Sequence, residues 1–290
     1  GEQGRIDADK LAEARAVCAD NRVFHWWLAF PQVAAQGGFT VMLGNPPWEQ
    51  LQLSEEEFFA PRAPAIAALP GAQRKRAIAD LETELPRLWQ EFSAAMRGCD
   101  AANAFFRDGG RFPLTAVGKL NTYALFAESF CALISASGRC GLIVPTGIAT
   151  DDNTKQFFEA LASSGRLRSL LCLENEEFVF PGVHHAFRFA LMTVAGRDAQ
   201  EPSTLVFFAR QPHQIHDSRR RFILSPDEFS LINPNTRTCP IFRSQRDAEL
   251  TKALYRQTSA LIRESHERVT EIGTLDRKST RLNSSHQIIS

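Results

Sequence analysis

The sequence predicts an α/β protein built on a mostly parallel, doubly wound sheet with an antiparallel strand at its edge. Short apolar runs alternate with stretches of helical periodicity over most of the chain, which is typical of a parallel sheet. Two late apolar runs, 187–194 and 205–208, have no helix between them and predict an antiparallel pair at the edge. The composition, 44% hydrophobic and 23% charged, is that of an ordinary globular protein.

The first third of the chain predicts a strand, a proline-rich loop and a helical insertion. Asp7 is predicted to cap the first helix. After Gly37 and Gly38, an apolar strand over 39–43 ends at Gly44-Asn45-Pro46-Pro47-Trp48, where the prolines turn the chain out of the sheet. We expect this loop at the carboxyl end of a central strand, open to a cleft. Residues 49–118 combine charged, Ala-rich stretches with five prolines and predict helices in a surface insertion.

The remaining elements are predicted from apolar periodicity and from their Gly and Pro boundaries. In chain order they are a helix over 120–134 ended by Gly138, a strand over 141–144 halted by Pro145, a helix over 154–161, strands at 169–173, 187–194 and 205–208, and a helix over 245–262.

Charge and cysteine content exclude several classes of protein. Lys+Arg and Asp+Glu both number 33, so the net charge is zero. That argues against non-specific nucleic-acid binding by the whole surface, although a local basic cleft remains compatible with it. The six cysteines form no C-x-x-C pair, which favours a reducing, cytoplasmic location and argues against a disulfide framework or a Cys-rich zinc site. No apolar run has the length of a membrane span, so no membrane association is expected.

The chemistry-bearing motif is Asn45-Pro46-Pro47-Trp48. Asn-Pro alone is a common turn, but this one follows an apolar strand, where α/β sheets bind ligands. The motif resembles that of amino-methyltransferases, [N/D/S]-P-P-[Y/F/W]. Its context is similar to the Eco57I-like (type IIG/IIL) restriction-modification methyltransferases, including the large single-chain methylases of phage-defence systems. The resemblance spans most of residues 20–265, through FHWWLAFPQVAAQGGFTVMLGNPPWE, KLNTYALFAESF, GRCGLIVPTGI, FVFPGVHHAFRFALMTV and NPNTRTCPIFRSQRDAEL.

This resemblance implies a Rossmann-like class I methyltransferase fold that uses S-adenosyl-L-methionine and methylates N6 of a flipped adenine in double-stranded DNA. It also implies a restriction-modification or phage-defence setting, with a fused or associated endonuclease or defence-system subunit. Asn45, Pro46, Pro47 and Trp48 are the expected catalytic residues.

The motif also suits the chemistry of an exocyclic amino group. The nitrogen of adenine is a poor nucleophile, because its lone pair is delocalised into the ring. The Asn45 side-chain oxygen and the Pro46 carbonyl can accept its two N–H bonds and hold it in line for transfer. Trp48 can stack on the flipped base. The resemblance to related adenine methyltransferases implies Phe180 as a second stacking residue, with Phe178 as its rival and the hydrophobic core as the alternative for either.

The family also implies a Gly-rich cofactor loop and an acidic residue upstream of the motif strand, and residues 1–36 contain no such loop. We therefore expect a fold incomplete at the N-terminus, cofactor-binding residues outside this sequence, and a chain that is inactive alone. The predicted organisation is the catalytic half of the methyltransferase domain at 1–196, with the helical insertion at 49–118. A linker and the start of a DNA-recognition region follow at 197–274, and an artefactual or disordered tail at 275–290.

Weaker candidates complete the analysis. Arg219, Arg220 and Arg221 are predicted either to contact DNA phosphates or to lie on a solvated loop. His184 and His185, adjacent on a predicted strand, would face opposite sides, and no metal site is expected. Two alternatives stay open: a protein-glutamine or RNA-guanine N-methyltransferase, and a non-catalytic DNA-binding subunit that retains the fold.

Overall fold

The structure, a computed structural model, describes residues 7–236 and 238–258. The tail predicted at 275–290 and the end of the helix predicted to reach residue 262 lie outside these residues. The helices are α1 Ala8–Asp20, α2 Trp26–Ala29, α3 Pro31–Ala35, α4 Glu55–Phe59, α5 Pro64–Ala67, α6 Gly71–Glu84, α7 Pro86–Asp108, α8 Thr122–Leu133, α9 Gly147–Thr150, α10 Lys155–Ser163, α11 Pro226–Ile232 and α12 Gln245–Gln257. The strands are β1 Phe39–Gly44, β2 Ile134–Pro145, β3 Leu167–Glu174, β4 Arg188–Ala195, β5 Ser203–Ala209 and β6 Phe222–Leu224.

The six strands form one mixed sheet in the order β1-β2-β4-β3-β5-β6. Strands β1, β2, β3 and β5 run in the same direction, and β4 and β6 run against them. The predicted Rossmann-like α/β class, with a mostly parallel sheet and an antiparallel edge strand, is confirmed. The four parallel strands end at the same edge of the sheet, which we call the carboxyl edge.

Two predictions about the sheet are wrong. Strand β4 does not pair with β5 at the edge, but lies between β2 and β3 and is antiparallel to both. The antiparallel edge strand is β6, three residues that the sequence analysis missed. Strand β1 is the first strand of the described sheet and not a central one. Hydrophobic runs reveal that strands exist, but their order depends on pairing between distant segments, which the runs do not encode.

The predicted helix cap at Asp7 and the predicted helical insertion are confirmed. Asp7 caps α1, and its side chain accepts a hydrogen bond from the Asp9 amide at 3.0 Å. Four helices, α4 to α7, occupy the predicted insertion and enclose a hydrophobic cluster of their own around Phe59 and Phe92. Helix α8 ends at Leu133, so Gly138 lies within β2 and does not end the helix.

The sheet continues past the domain boundary predicted at residue 196. Strands β5 and β6 belong to the same sheet as β1–β4, and α11 packs into the same hydrophobic cluster as α8 and α10. This cluster covers one face of the sheet. On the other face, Val41 and Leu43 of β1 are 58% and 78% exposed. None of the described helices combines the length and apolar character that a membrane span requires.

A buried carboxylate ties the end of the insertion to α8. Glu128 accepts hydrogen bonds from the Leu114 amide at 3.2 Å, the Thr115 amide at 3.0 Å and the Thr115 hydroxyl at 2.6 Å. A buried carboxylate is tolerated where several donors satisfy it. The contact fixes where the insertion returns to the sheet, immediately before the segment that supports the motif loop.

Cysteine labelling tests this packing. Cys131, Cys140, Cys172 and Cys239 are buried, whereas Cys18 is exposed. Burial raises the pKa of the Cys172 and Cys239 thiols, and only the thiolate reacts readily with alkylating agents. We expect Cys18 to react quickly in the native protein and the four buried cysteines to react only after unfolding. Mass spectrometry after timed iodoacetamide treatment checks this, with Cys18→Ser as the control. Rapid native labelling of the four would contradict the packing.

Candidate active site

The motif loop leaves the carboxyl end of β1 at Gly44, next to α8. A Cβ on Gly44 would lie 2.9 Å from the Phe130 ring of α8, closer than real Cβ contacts. Asn45 is exposed, Pro46 is buried and Trp48 is half-buried. Pro46 therefore packs into the protein, while Pro47 and Asn45 remain exposed at the carboxyl edge.

Thr122, the first residue of α8, holds the loop through hydrogen bonds. Its hydroxyl donates to the Pro47 carbonyl at 2.6 Å and accepts from the Glu49 amide at 3.0 Å. The Thr122 amide in turn donates to the Glu49 carbonyl at 2.9 Å. On the other side, Trp48 Nε1 donates to the Ile143 carbonyl of β2 at 3.4 Å. The loop is thus fixed to both a helix and a strand.

Two hydrogen-bond acceptors of the loop are unused within the described residues. Neither the Asn45 side chain nor the Pro46 carbonyl has a hydrogen-bond partner among residues 7–236 and 238–258. These are the two acceptors that the motif chemistry needs. The loop is held through its neighbours Pro47, Trp48 and Glu49, so both acceptors are free to bind a ligand N–H.

Two aromatic rings flank this part of the edge. The Trp48 and Phe187 ring centroids lie 6.4 Å apart, with 32° between the ring planes. Phe187, immediately before β4, is 49% exposed. The sequence analysis missed this residue, because its position next to Trp48 follows from the insertion of β4 between β2 and β3. Its one sequence signal was an aromatic at the start of an apolar run.

Phe180 and Phe178 lie in different surroundings. Phe180 is half-buried, with its ring centroid 4.9 Å from that of Phe189 in a small hydrophobic cluster. Phe178 is 53% exposed, and its backbone has the left-handed φ of 52° that non-glycine residues rarely adopt. Packing in the core, one of the two roles left open for Phe180, agrees with its position, and its stacking role stays a prediction.

A fully buried asparagine holds the loop that carries these rings. The Asn175 side chain donates to the carbonyls of Phe180 at 3.1 Å and Val183 at 2.8 Å, and accepts from the Phe180 amide at 2.9 Å. Its backbone amide donates to the Phe187 carbonyl at 2.9 Å. One residue thus determines the shape of segment 175–187 and the position of Phe187.

The residues expected to bind phosphate have different partners. Arg219 forms an ion pair with Asp217, with Nη2 and Oδ2 2.9 Å apart. The hydrogen bonds from Arg219 lower the pKa of Asp217 to about 2, so this carboxylate stays charged at neutral pH. Arg220 Nη1 donates to the Phe208 carbonyl at 3.3 Å. Arg221 is exposed.

The histidine pair differs from its prediction. His184 and His185 lie in a turn before β4, not on a strand, and their ring centroids are only 4.4 Å apart. The argument that they face opposite sides is therefore wrong. Within the described residues, no group of three His, Cys, Asp or Glu side chains is arranged to hold a metal ion.

The described residues do not fit S-adenosylmethionine as a complete site. Of the two glycines before β1, Gly38 serves packing, since its Cβ would lie 2.6 Å from the Leu133 carbonyl at the opposite edge of the sheet, whereas Gly37 has the left-handed φ of 80°. In residues 7–236 and 238–258, no strand leads through a turn with two glycines into a helix. The geometry therefore concerns the methyl acceptor, and no step involving the donor is derived from it.

No protein-family model matches the chain, and no curated protein matches it. Similar solved structures include the type I restriction-modification methyltransferase subunit from Streptococcus thermophilus, at 13% identity over 49% of this chain and 35% of that one, with a TM-score of 0.37. Another is the type IIG restriction endonuclease BpuSI, at 18% identity over 58% and 15% of the two chains, with a TM-score of 0.32. A third is the ATP-dependent type ISP enzyme LlaBIII bound to DNA, at 10% identity over 59% and 10%, with a TM-score of 0.31.

The chain covers no more than 35% of the length of any of these three structures. At these TM-scores the likeness carries no argument about the function of the chain. The functional proposal therefore rests on the motif and on the local geometry around it.

Replacement of Asn175 tests how segment 175–187 is held. We expect Asn175→Ala to lower the free energy of unfolding by about 1–3 kcal/mol, because it leaves buried backbone groups without partners. Urea denaturation measures the loss, and limited proteolysis should show faster cleavage within the segment. Asn233→Ala serves as a comparison, because the side chain of Asn233 donates to a single carbonyl, that of Thr238. Unchanged stability and unchanged proteolysis of the Asn175 variant would contradict this role.

Proposed function

We propose that this chain carries the acceptor half of the active site of a DNA methyltransferase that methylates N6 of a flipped adenine. The proposal places it in a restriction-modification or phage-defence system. The observation that carries the proposal is the pair of unused acceptors, the Asn45 side chain and the Pro46 carbonyl, on a firmly held loop at the carboxyl edge.

These acceptors match the needs of an exocyclic amino group. When both N–H bonds are held by oxygen acceptors, the nitrogen keeps one orientation and electron density is drawn towards it. The acceptors also stabilise the positive charge that develops on the nitrogen during transfer. Pro46 suits this task, since proline lacks an N–H of its own and the following Pro47 restricts the direction of the Pro46 carbonyl.

The two aromatic rings favour a flat substrate. Trp48 and Phe187 present partly exposed rings beside the acceptors, and base–aromatic stacking contributes about 1–3 kcal/mol per base. A glutamine amide gains less from such a pair, which favours a nucleobase over the protein-glutamine alternative. An adenine inside a duplex reaches this position only after it is flipped out of the base stack.

The methyl donor that the motif implies is S-adenosylmethionine, which would supply an electrophilic methyl group. Arg219, Arg220 and Arg221, together with the segments after residue 196, are proposed to contribute to DNA binding, mainly through phosphate contacts.

Replacement of Asn45 tests the acceptor role in the complete protein that carries this chain. We expect Asn45→Ala to reduce methyl transfer by about 100-fold or more, because one stabilising hydrogen bond at the reacting group is lost. Affinity for DNA should persist, since phosphate contacts dominate it. Transfer of a radiolabelled methyl group to unmethylated DNA measures the first effect, and fluorescence anisotropy the second.

Asn45→Asp provides the matched comparison, because it retains acceptor oxygens at the same position. It should keep more activity than Asn45→Ala. Near-normal methyl transfer by the alanine variant would exclude the proposed role of Asn45.

Replacement of the two rings tests base stacking. We expect Trp48→Ala and Phe187→Ala each to lower kcat/KM for methyl transfer by roughly 5- to 150-fold, the equivalent of about 1–3 kcal/mol of stacking. Trp48→Phe, which keeps an aromatic face, should lose less. Phe180→Ala should mainly reduce stability, because its ring packs against Phe189. If Phe180→Ala impairs transfer in a fully stable protein while Phe187→Ala does not, the assignment of the second ring is reversed.

A further inference from the structure

A polar cavity of about 620 Å³ lies beyond the carboxyl ends of β3 and β5. We call it the arginine cavity. Four arginines share its lining with three acidic residues and several neutral ones: Glu174, Glu177, Phe208, Arg210, Gln214, Asp217, Arg219, Arg220, Arg243 and Ser244.

Two of the four arginines are neutralised by carboxylates. Arg210 lies 3.7 Å from Glu174 and 2.7 Å from Glu176, measured between nitrogen and oxygen atoms. Arg219 is paired with Asp217. These two guanidinium groups therefore add little net attraction for an anion.

Arg220 and Arg243 are different. Among the described residues, neither has a carboxylate oxygen within 4.0 Å of its guanidinium group. Both converge on Phe208: Arg220 Nη1 donates to its carbonyl at 3.3 Å, and Arg243 Cζ lies 4.6 Å from the centroid of its ring. The lining thus has four arginines against three carboxylates, those of Glu174, Glu177 and Asp217, an excess of one positive charge that an anion would balance.

The backbone at Phe208, the residue that contacts both arginines, is strained. Its φ is 58°, a left-handed conformation that is costly for phenylalanine, and it lies where the register of β3 and β5 shifts between Leu171 and Leu173. The resulting bulge presents the carbonyl to Arg220 and the ring to Arg243.

The cavity also includes the beginning of α12, a helix of 13 residues. Its N-cap, Ser244, lines the cavity, and the Gln245 amide donates to the Arg219 carbonyl at 2.8 Å. The Asp247 amide donates to the Ser244 hydroxyl at 3.2 Å, so these two amides of the first turn are already bonded, and the Asp247 carboxylate offsets part of the positive end of the helix dipole.

We propose that Arg220 and Arg243 bind one backbone phosphate of the DNA that is the substrate of the proposed methyltransferase, on which this inference rests. The cavity and Asn45 share the carboxyl edge. Strands β1 and β5 are four strand spacings apart, or about 19 Å. At 3.4 Å per base pair, that distance corresponds to about five or six base pairs along one duplex. Arg221 is not among the residues that line the cavity.

The test measures how the DNA affinity of the complete protein that carries this chain depends on salt. Fluorescence anisotropy with a labelled random-sequence duplex of about 30 base pairs, titrated in KCl, gives the slope of log K against log salt. We expect the double variant, Arg220→Ala with Arg243→Ala, to weaken binding and to reduce the slope by about 0.9, the value for one phosphate. Each single variant should weaken binding and reduce the slope by less, because the remaining guanidinium group still contacts the same phosphate.

Two controls define the outcome. Arg197→Ala removes an equal charge next to the end of β4 at the opposite edge of the sheet and should leave the slope unchanged. Arg243→Lys retains the charge and should retain most of the slope, which separates lost charge from a folding defect. If Arg220→Ala and Arg243→Ala behave like Arg197→Ala, the inference is overturned while the proposed function stands.

If the complete wild-type protein does not bind duplex DNA, the proposed DNA substrate is contradicted, and with it this inference. Inorganic phosphate distinguishes a free anion from a DNA backbone. If low-millimolar inorganic phosphate displaces the duplex at constant ionic strength, the cavity is a site for the free anion and the inference is overturned.

Discussion

The hydroxyl of Thr122 makes the contact on which the candidate site depends. It hydrogen-bonds to the Pro47 carbonyl and to the Glu49 amide, which follow Asn45 and Pro46 in the loop. Among the described residues, the Asn45 side chain and the Pro46 carbonyl have no partner, because the hydrogen bonds that fix the loop go to Pro47, Trp48 and Glu49. The same contact joins β1 to the first turn of α8, so the core that orients α8 also orients the loop.

The close approach of β1 and α8 adds a second constraint. A side chain at position 44 would meet the Phe130 ring, which would then have to shift. The following prolines remove two amide donors and stop the strand. Strand, glycine and prolines act over a few neighbouring residues, and they could therefore be predicted from the sequence. The part played by Thr122, 77 positions after Asn45, could not, because it depends on a contact between distant segments.

The same distinction explains the aromatic residues. Phe187 and Phe189 are two positions apart and resemble each other in the sequence, yet Phe189 is buried in β4 and Phe187 lies at the edge next to Trp48. Which of them meets a ligand depends on the place of β4 between β2 and β3. The hydrophobic run at 187–194 predicted the strand correctly. The run carried no information on which strands lie next to β4, and therefore it could not indicate that Phe187 lies beside Trp48.

The net charge of the chain does not reveal which of its arginines are able to bind an anion. The chain has no net charge, and many of its arginines face carboxylates: Arg210 faces Glu174 and Glu176, and Arg219 faces Asp217. A polyanion approaching such a surface meets little long-range attraction. Its binding then depends on guanidinium groups that the fold keeps away from carboxylates, and Arg220 and Arg243 are two of these among the described residues. Arg220 and Arg243 are 23 positions apart, and the bulge at Phe208 brings them together. The run Arg219–Arg221 is visible in the sequence. The ion pair of Arg219 with Asp217 and the hydrogen bond of Arg220 to the Phe208 carbonyl are not.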